Sequence, residues 1–512
     1  MIEFPLLHLK NSKNLVMDSH SQSPQHIVIF PYMSKGHTIP LLHLLSHLRR
    51  RFPLLSLTLF TTTACRPFVS QFLSDSATHS VSVIDLYFPQ NALDGLPTCV
   101  NPDTLPTELW AATELMQPEF EKRLHSLPVP ATFLISDMFL SWTNESASKF
   151  GIPRIIFNGM SSYTRALTSA VVKSRVFAGG QSEDELVTVP DFPWVKITRR
   201  ELNSVFWPEA DPSSHQFQFI MKLLLPPIKS YGLIVNSFDE LEPTFADYIR
   251  NSEKIWNIGP LCLHQYSFDV TTNCQPTQKL QMRQVTTDRP KWLEWLEEKH
   301  KQGEGILYIA FGSEAEISSE QTKEIEIGLE ESGVNFLWAK KEEMEDKGFE
   351  ERVKERGIIV REWVNQWEIL KHGAVKGFFS HCGWNSVTES LSCGVPMLTY
   401  PLMAEQGLNA RMVVDELRAG MSAVGETTLS MKGLVKGEDL KRCVRELMEG
   451  EKGKKVREKA MEISEMAKKT MTENGSSWRN LELLMQEMCN KSSLIMQTDL
   501  LPLNGRGVNY AQ

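Results

Sequence analysis

The chain of 512 residues has no long hydrophobic run: no stretch reaches the roughly 18 apolar residues that span a bilayer. Its start offers only a short apolar patch at residues 4–9, broken by Pro5 and His8, so no signal-peptide core is expected. Met17, just before a polar Ser/Gln/Pro segment, is a second candidate start. Cysteines are few, at positions 65, 99, 262, 274, 382, 393, 443 and 489, and form neither a C-x-x-C pair nor a cluster with histidines. That spacing excludes a disulfide scaffold and a zinc fold and implies reduced thiols in a cytoplasmic protein. No broad basic stripe exists: 54 Lys and Arg stand against 63 Asp and Glu, a net charge of −9. Nucleic acid and anionic membrane are therefore not expected partners. Also missing is a G-x-G-x-x-G turn after a strand, which a nicotinamide-dependent dehydrogenase requires. The loop after the first strand pattern runs Pro31 to Gly36, and Gly303-Glu304-Gly305 precedes a strand pattern. No Asp-x-Asp and no His/Asp/Glu group with metal-ligand spacing occurs, so neither metal nor cofactor is expected.

What is present is an ordinary globular composition, 41% hydrophobic and 23% charged, in a length that suits two or three domains. Short β-branched runs at 26–30, 55–60, 81–85, 132–135, 154–157 and 231–236 alternate with helical patterns such as 39–48. The alternation resumes with strand patterns at 305–311, 335–339, 357–360, 377–380 and 398–401 and helical ones at 319–332 and 387–392. Such β-α alternation predicts α/β domains with parallel sheets covered on both faces. The expected division is a flexible extension at 1–25, a first domain at 26–259, a Gln/Thr/Asp-rich linker at 260–290 and a second domain at 291–472. A final helix at 473–490 and a frayed tail at 491–512 complete it. Ligands in such sheets lie beyond the carboxyl ends of the strands.

The densest chemistry runs from Trp363 to Gln406. A strand pattern ending at Ser380 leads into His381-Cys382-Gly383-Trp384-Asn385-Ser386, a glycine-containing turn, and then a helix from Val387. A helix start presents unpaired N–H groups and a positive dipole end, which suit a phosphate. His381 can donate to phosphate oxygen, and Ser386 can do the same or cap the helix. Glu389 can accept from ribose hydroxyls, or serve as an ordinary carboxylate near a helix start. The Glu405-Gln406 pair suits sugar hydroxyls.

The order and spacing of W-x-x-Q, H-C-G-W-N-S, E-S-x-x-x-G-V-P and the closing E-Q resemble the 44-residue signature of plant family 1 UDP-sugar glycosyltransferases. The resemblance implies the GT-B fold, two doubly wound Rossmann-like domains facing across a cleft. It implies that Trp363 stacks on uracil, with Val364 beside it, while Gln366 and Glu389 hold the ribose. His381, Asn385 and Ser386 would bind the diphosphate, and Trp384, Glu405 and Gln406 the sugar. Ser313, in Phe311-Gly312-Ser313, matches a second phosphate loop, and the terminal glutamine favours UDP-glucose as donor substrate. Asn365, Lys376 and Tyr400 depart from the usual proline, glycine and tryptophan. Gly475-Ser476-Ser477-Trp478 is similar to the start of a last helix that crosses back to the first domain.

His37 lies in Lys35-Gly36-His37-Thr38-Ile39-Pro40, between the first strand pattern and its helix. Taken alone it is one of 13 histidines; in the family, G-H-x-x-P carries the general base. Asp137, by itself a turn or cap carboxylate, matches the partner that orients the imidazole. These residues imply an inverting, metal-independent O-glucosyl transfer to a small, largely apolar acceptor, phenolic or terpenoid. The acceptor pocket is expected near Met33, Phe88, Met138, Phe139, Phe157 and Trp207. A catalytically inactive sugar-nucleotide-binding protein is the alternative; it would keep the 363–406 block and lose the base.

Overall fold

The computed structural model describes residues 25–75, 81–88, 112–179, 182–207, 209–224, 230–264, 289–312, 317–340, 345–424 and 434–499. The first half contains β1 (His26–Phe30), β2 (Ser56–Thr62), β3 (Val81–Leu86), β4 (Phe133–Asp137) and β5 (Arg154–Asn158). An antiparallel pair follows, β6 (Val187–Val189) and β7 (Phe192–Ile197), then β8 (Gly232–Val235) and β9 (Ile255–Asn257). The second half contains β10 (Ile306–Ala310), β11 (Asn335–Ala339), β12 (Gly357–Val360), β13 (Val375–Ser380), β14 (Met397–Thr399) and β15 (Gly420–Ser422). Two parallel sheets result among the described residues, in the orders β3-β2-β1-β4-β5-β8-β9 and β12-β11-β10-β13-β14-β15.

The apolar runs read as strands because both faces of each sheet are covered. In β1, Ile27 and Ile29 enter one core and Val28 and Phe30 another. In β10, Leu307 and Ile309 pack on one side and Ile306 and Tyr308 on the other. Each order reverses once, at β1/β4 and at β10/β13, and the crevice at such a reversal opens beyond the strand ends. Register aligns the two central strands there, Phe30 with Ser136 and Ala310 with Ser380.

Several elements differ from expectation. Residues 231–236 do not form the last strand of the first sheet, since β9 adds beyond β8. The pair β6–β7 and the short β15 were not expected; three-residue strands such as β6 and β15 are too short for periodicity to register. The first helix runs Lys35–Arg51, starting earlier than 39–48, so His37 sits in its first turn instead of in a loop. The helix after β13 begins at Trp384, with Gly383 as its N-cap, so Ser386 is not the cap and Glu389 lies in the second turn. Pro260 to His264, expected as linker, is packed: Leu261–Leu263 form a buried 3-10 turn. The rest of the linker, 265–288, lies outside the described residues, as does the N-terminal extension up to residue 24.

The last helix, Ser476–Asp499, extends past the expected end at 490. Its Leu481, Leu484, Met485 and Met488 bury into the first domain's core beside Leu41 and Leu45. Arg51 binds it twice, donating to the Trp478 carbonyl at 2.7 Å and pairing with Glu482 at 2.8 Å. Deeper between the domains, Arg411 holds Glu201 through Nε and Nη2 at 2.6 and 2.9 Å. That carboxylate is fully buried and also accepts from Thr198 N–H at 2.7 Å. A buried ion pair with its remaining lone pairs satisfied fixes geometry more than it adds stability. Here it ties the second half of the chain at Arg411 to the first at Glu201.

Candidate functional site

On the N-terminal wall, β4 ends at Asp137 and the helix after β1 starts at Lys35, so the strand-order reversal brings their side chains together. His37 Nδ1 lies 2.8 Å from Asp137 Oδ2. The imidazole is 22% exposed while the carboxylate is fully buried. Asp137 Oδ1 accepts from the Phe139 N–H at 2.9 Å. The Arg154 guanidinium donates to the Asp137 carbonyl at 3.1 Å and to Ser136 Oγ at 2.7 Å. Burial lowers the Arg154 pKa to about 10, against the opposing pull of Asp137, so it stays charged at neutral pH. The buried carboxylate thus has one hydrogen bond on each oxygen and a guanidinium charge nearby, the compensation a buried charge requires. With Nδ1–H donating to Asp137, the imidazole lone pair falls on Nε2.

Aromatic rings wall this imidazole. Phe139 lies 4.7 Å and Tyr32 5.2 Å from it, ring centre to ring centre, and Phe219 lies 5.5 Å from Phe139. Of the expected acceptor residues, Phe139 is therefore beside His37. Met33 and Phe88 pack on the core that holds Tyr32, and Met138 is buried next in chain. Phe157 is fully buried with Ile155 in the core on which the His37-bearing helix packs, as the register partner of Asp137, so it lines no open pocket. Trp207 donates its indole N–H to the Arg199 carbonyl at 3.1 Å, under that guanidinium. Tyr32 and Phe219 were missed. Tyr32 directly precedes Met33 and could have been found by its place past the strand end; Phe219 arrives on a distant helix with no local signal.

On the C-terminal wall the turn after β13 is held tightly. Cys382 has a positive φ of 64°, a strained conformation for a residue with a side chain. Its N–H donates to Ser380 Oγ at 3.1 Å and its carbonyl accepts from Asn409 Nδ2 at 3.1 Å. His381 is packed against Gly312 and Gly383: a Cβ on either would fall within 2.8 Å and 2.6 Å of its Nε2. Gly312 also has a φ of +78°, so glycine is required there twice over. Burial lowers the His381 pKa to about 4, so the ring is neutral at physiological pH. The helix Trp384–Ser392 opens beside it with its first N–H groups outside any intrahelical bond. Ser313 lies outside the described residues.

Gln366 Nε2 donates both to Ser386 Oγ at 3.0 Å and to Glu389 Oε2 at 2.8 Å, drawing three expected residues into one polar group. Burial pushes the Glu389 carboxyl up to about 7, with the Gln366 hydrogen bond acting the other way. Trp363 is 49% exposed, edge-on to Phe68 of the first domain with Lys35 Nζ 5.4 Å above its ring, and Val364 beside it is partly buried. Neither Lys35 nor Phe68 was expected in the site. Gln406 Oε1 accepts from the Leu402 and Met403 N–H groups at 2.9 and 3.0 Å, leaving its amide N–H pair. Glu405 has a raised pKa from burial, opposed by the charge of His37, so the two lie within electrostatic reach across the cleft. Trp384 is different from expectation: its buried indole donates to the Asn236 carbonyl at 2.9 Å, so its side chain fastens the domains and only its backbone faces the turn. Asn385 Nδ2 donates to the Gly36 carbonyl at 2.5 Å, also across the cleft.

Among the described residues no group of three or more His, Cys, Asp or Glu could hold a metal ion, and no helix is long and apolar enough to cross a membrane. The cleft thus sets a partly exposed imidazole with a buried carboxylate partner on one wall and the start of the helix Trp384–Ser392 on the other, joined by the Asn385–Gly36 bond.

Residues 243–474 match the family model described as UDP-glucoronosyl and UDP-glucosyl transferase. The chain is 44% identical over 490 residues to UDP-glycosyltransferase 90A1 of Arabidopsis thaliana, covering 92% of this chain and 98% of that one. Among solved structures, Glycyrrhiza uralensis UGT73P12 complexed with glycyrrhetinic acid 3-O-monoglucuronide aligns with a TM-score of 0.78 at 26% identity, covering 93% of this chain and 98% of that one. Phytolacca americana UGT2 complexed with UDP-2fluoro-glucose and pterostilbene aligns with a TM-score of 0.73 at 26% identity, covering 91% and 99%. The shared architecture is the GT-B fold.

Proposed function

The chain belongs to the UDP-glycosyltransferase family and transfers a glycosyl group from a UDP-sugar to a small acceptor, and on that premise we propose that it is an inverting, metal-independent O-glucosyltransferase of the cytoplasm. The observation that carries the proposal is the 2.8 Å contact of the partly exposed His37 with the buried Asp137, opposite the anion-binding turn.

In the proposed reaction, His37 Nε2 takes the proton of the acceptor hydroxyl as that oxygen bonds to the anomeric carbon. The bond from that carbon to the diphosphate oxygen breaks on the opposite face, so an α-linked donor gives a β-glucoside and UDP. Asp137 remains ionised and stabilises the imidazolium that forms. A base whose ordinary pKa is near 6.5 suits proton abstraction at neutral pH. Charge growing on the leaving diphosphate meets the N–H groups at the start of the helix Trp384–Ser392 and the His381 ring. Trp363 would carry the uracil, Gln366 and Glu389 the ribose, and Glu405 with the Gln406 amide the glucose hydroxyls. The rings of Tyr32, Phe139 and Phe219 around the base support an apolar, aromatic-tolerant acceptor. The pterostilbene and glycyrrhetinic acid monoglucuronide held by the two structural relatives support the same class.

The test is UDP release with UDP-glucose and a panel of phenolic and terpenoid alcohols, followed by the anomeric configuration of any product. Acceptor-dependent release of a β-glucoside is expected. An α-glucoside would overturn the inverting mechanism. Tight UDP-glucose binding without release for any acceptor would favour the binding-only alternative.

A further inference from the structure

Resting on that transfer chemistry, we propose that Asn385 is a positioning residue: it locks the His37-bearing helix onto the donor-side helix through a backbone carbonyl that Pro40 leaves without an intrahelical donor. In an α-helix the N–H of residue 40 would bond the carbonyl of residue 36. Pro40 lies inside the helix Lys35–Arg51, has no N–H to give, and its ring crowds that same carbonyl. The Gly36 carbonyl instead accepts from Asn385 Nδ2 at 2.5 Å, across the cleft. A helix-interior proline, ordinarily destabilising, is here compensated by a donor from the other domain.

The position of this bond gives it consequence. Gly36 immediately precedes His37, and Asn385 stands in the first turn of the helix whose start faces the anion site. The Asn385 amide has two N–H donors, and one is used on Gly36. The other remains for a diphosphate oxygen, so a single side chain can tie the base-bearing element to the leaving group. Lys35 adds a neighbouring cross-cleft contact, its Nζ over the Trp363 ring. The His37 end of the helix is thus held by the opposite wall at two successive residues. The separation between base and anomeric carbon is then set by the bridge, and a displacement of even an ångström at this point costs rate without costing donor affinity.

The experiment compares wild type with Asn385→Ala, Pro40→Ala and the double variant, measuring kcat at saturating UDP-glucose, UDP affinity by calorimetry, and melting temperature without substrate. Asn385→Ala should lower kcat at saturating UDP-glucose at least tenfold, beyond the several-fold rise in UDP Kd expected from losing one hydrogen bond to the diphosphate. Pro40→Ala should lower kcat threefold or more, because the backbone N–H restored at position 40 captures the Gly36 carbonyl inside the helix. The double variant should be no slower than Asn385→Ala alone. A loss confined to UDP affinity, or effects of the two substitutions that multiply, would overturn the proposal and leave Asn385 a plain phosphate ligand. The melting temperatures read the bridge without turnover: Asn385→Ala should destabilise the protein that keeps Pro40 and not the one that already carries Pro40→Ala. Equal destabilisation in both backgrounds would refute the bridge. Absence of any transfer by wild type would instead refute the glucosyltransfer reading, and the melting data would still decide the bridge.

Discussion

Both sheets place functional side chains at the reversal of their strand order, yet the two cleft walls hold them by opposite means. On the N-terminal wall, His37 is positioned by a partner, the buried Asp137, and keeps part of its ring in the open. On the C-terminal wall, His381 is positioned by what is missing, the side chains of Gly312 and Gly383, and burial drives its pKa to about 4. The difference matches the tasks proposed for the two walls. A base must exchange a proton and needs one nitrogen with a lone pair, a charge partner and access to the substrate. A donor platform must present fixed dipoles in a dry setting, where they act on developing charge without reorganising. Chemistry and donor binding should therefore be separable by substitution.

The largest effect that would sharpen this division is Asp137→Asn. The amide N–H would donate to His37 Nδ1, leaving the imidazole proton on Nε2, the wrong nitrogen for a base. A loss of about a thousandfold in kcat is expected, with UDP affinity unchanged by calorimetry. Equal loss in UDP affinity would break the comparison, since Asp137 would then be acting on the donor side. On the opposite wall, Trp363→Ala should weaken UDP by about tenfold, the magnitude of one lost stacking contact, and leave kcat at saturating donor nearly intact.

How much of this could be read from the residues also differs between the walls. The C-terminal wall is one contiguous segment, so a strand end, a turn, a helix start and a Glu-Gln pair appear in chain order from Trp363 to Gln406. The N-terminal wall is assembled from 32–37, 137–139 and 219, whose meeting depends on tertiary packing. The apolar run 154–157 shows that Phe157 is buried but not that it lies in register with Asp137, which only the pairing of β4 with β5 tells. Trp384 lies in the densest part of the motif, and nothing local could reveal that its indole is bonded to Asn236 in the other domain. The open Gly36 carbonyl was not legible, because a helix read from 39 leaves residue 36 in a loop, and only the observed start at Lys35 puts Pro40 four residues on inside the helix. Its donor, 349 residues away, was not legible either.

A smaller effect concerns Glu389, whose folded pKa of about 7 lies above its ordinary value near 4.5. A carboxyl raised by folding stabilises the protein fully below its unfolded pKa and loses that contribution as pH rises through the folded value. Glu389→Gln removes the titration, so its melting temperature relative to wild type should climb between pH 5.5 and 8, by a difference worth about 2 kcal/mol. The same variant should raise the KM for UDP-glucose several-fold. A pH-independent difference would mean that the carboxylate is already stabilised where it lies. Smallest is Trp384→Phe, which strands the buried Asn236 carbonyl and should cost about 1–2 kcal/mol in thermal unfolding, with UDP affinity little changed. A large loss of donor affinity would return the Trp384 side chain to the sugar site.

The division of the cleft is tested most directly by His37→Ala, with turnover and UDP binding measured on the same preparation. Acceptor-dependent UDP release should fall by about 10²- to 10⁴-fold while the UDP Kd stays within threefold of wild type. Undiminished turnover, or a loss of UDP binding that matches the loss of rate, would contradict the separation of proton transfer on one wall from donor binding on the other.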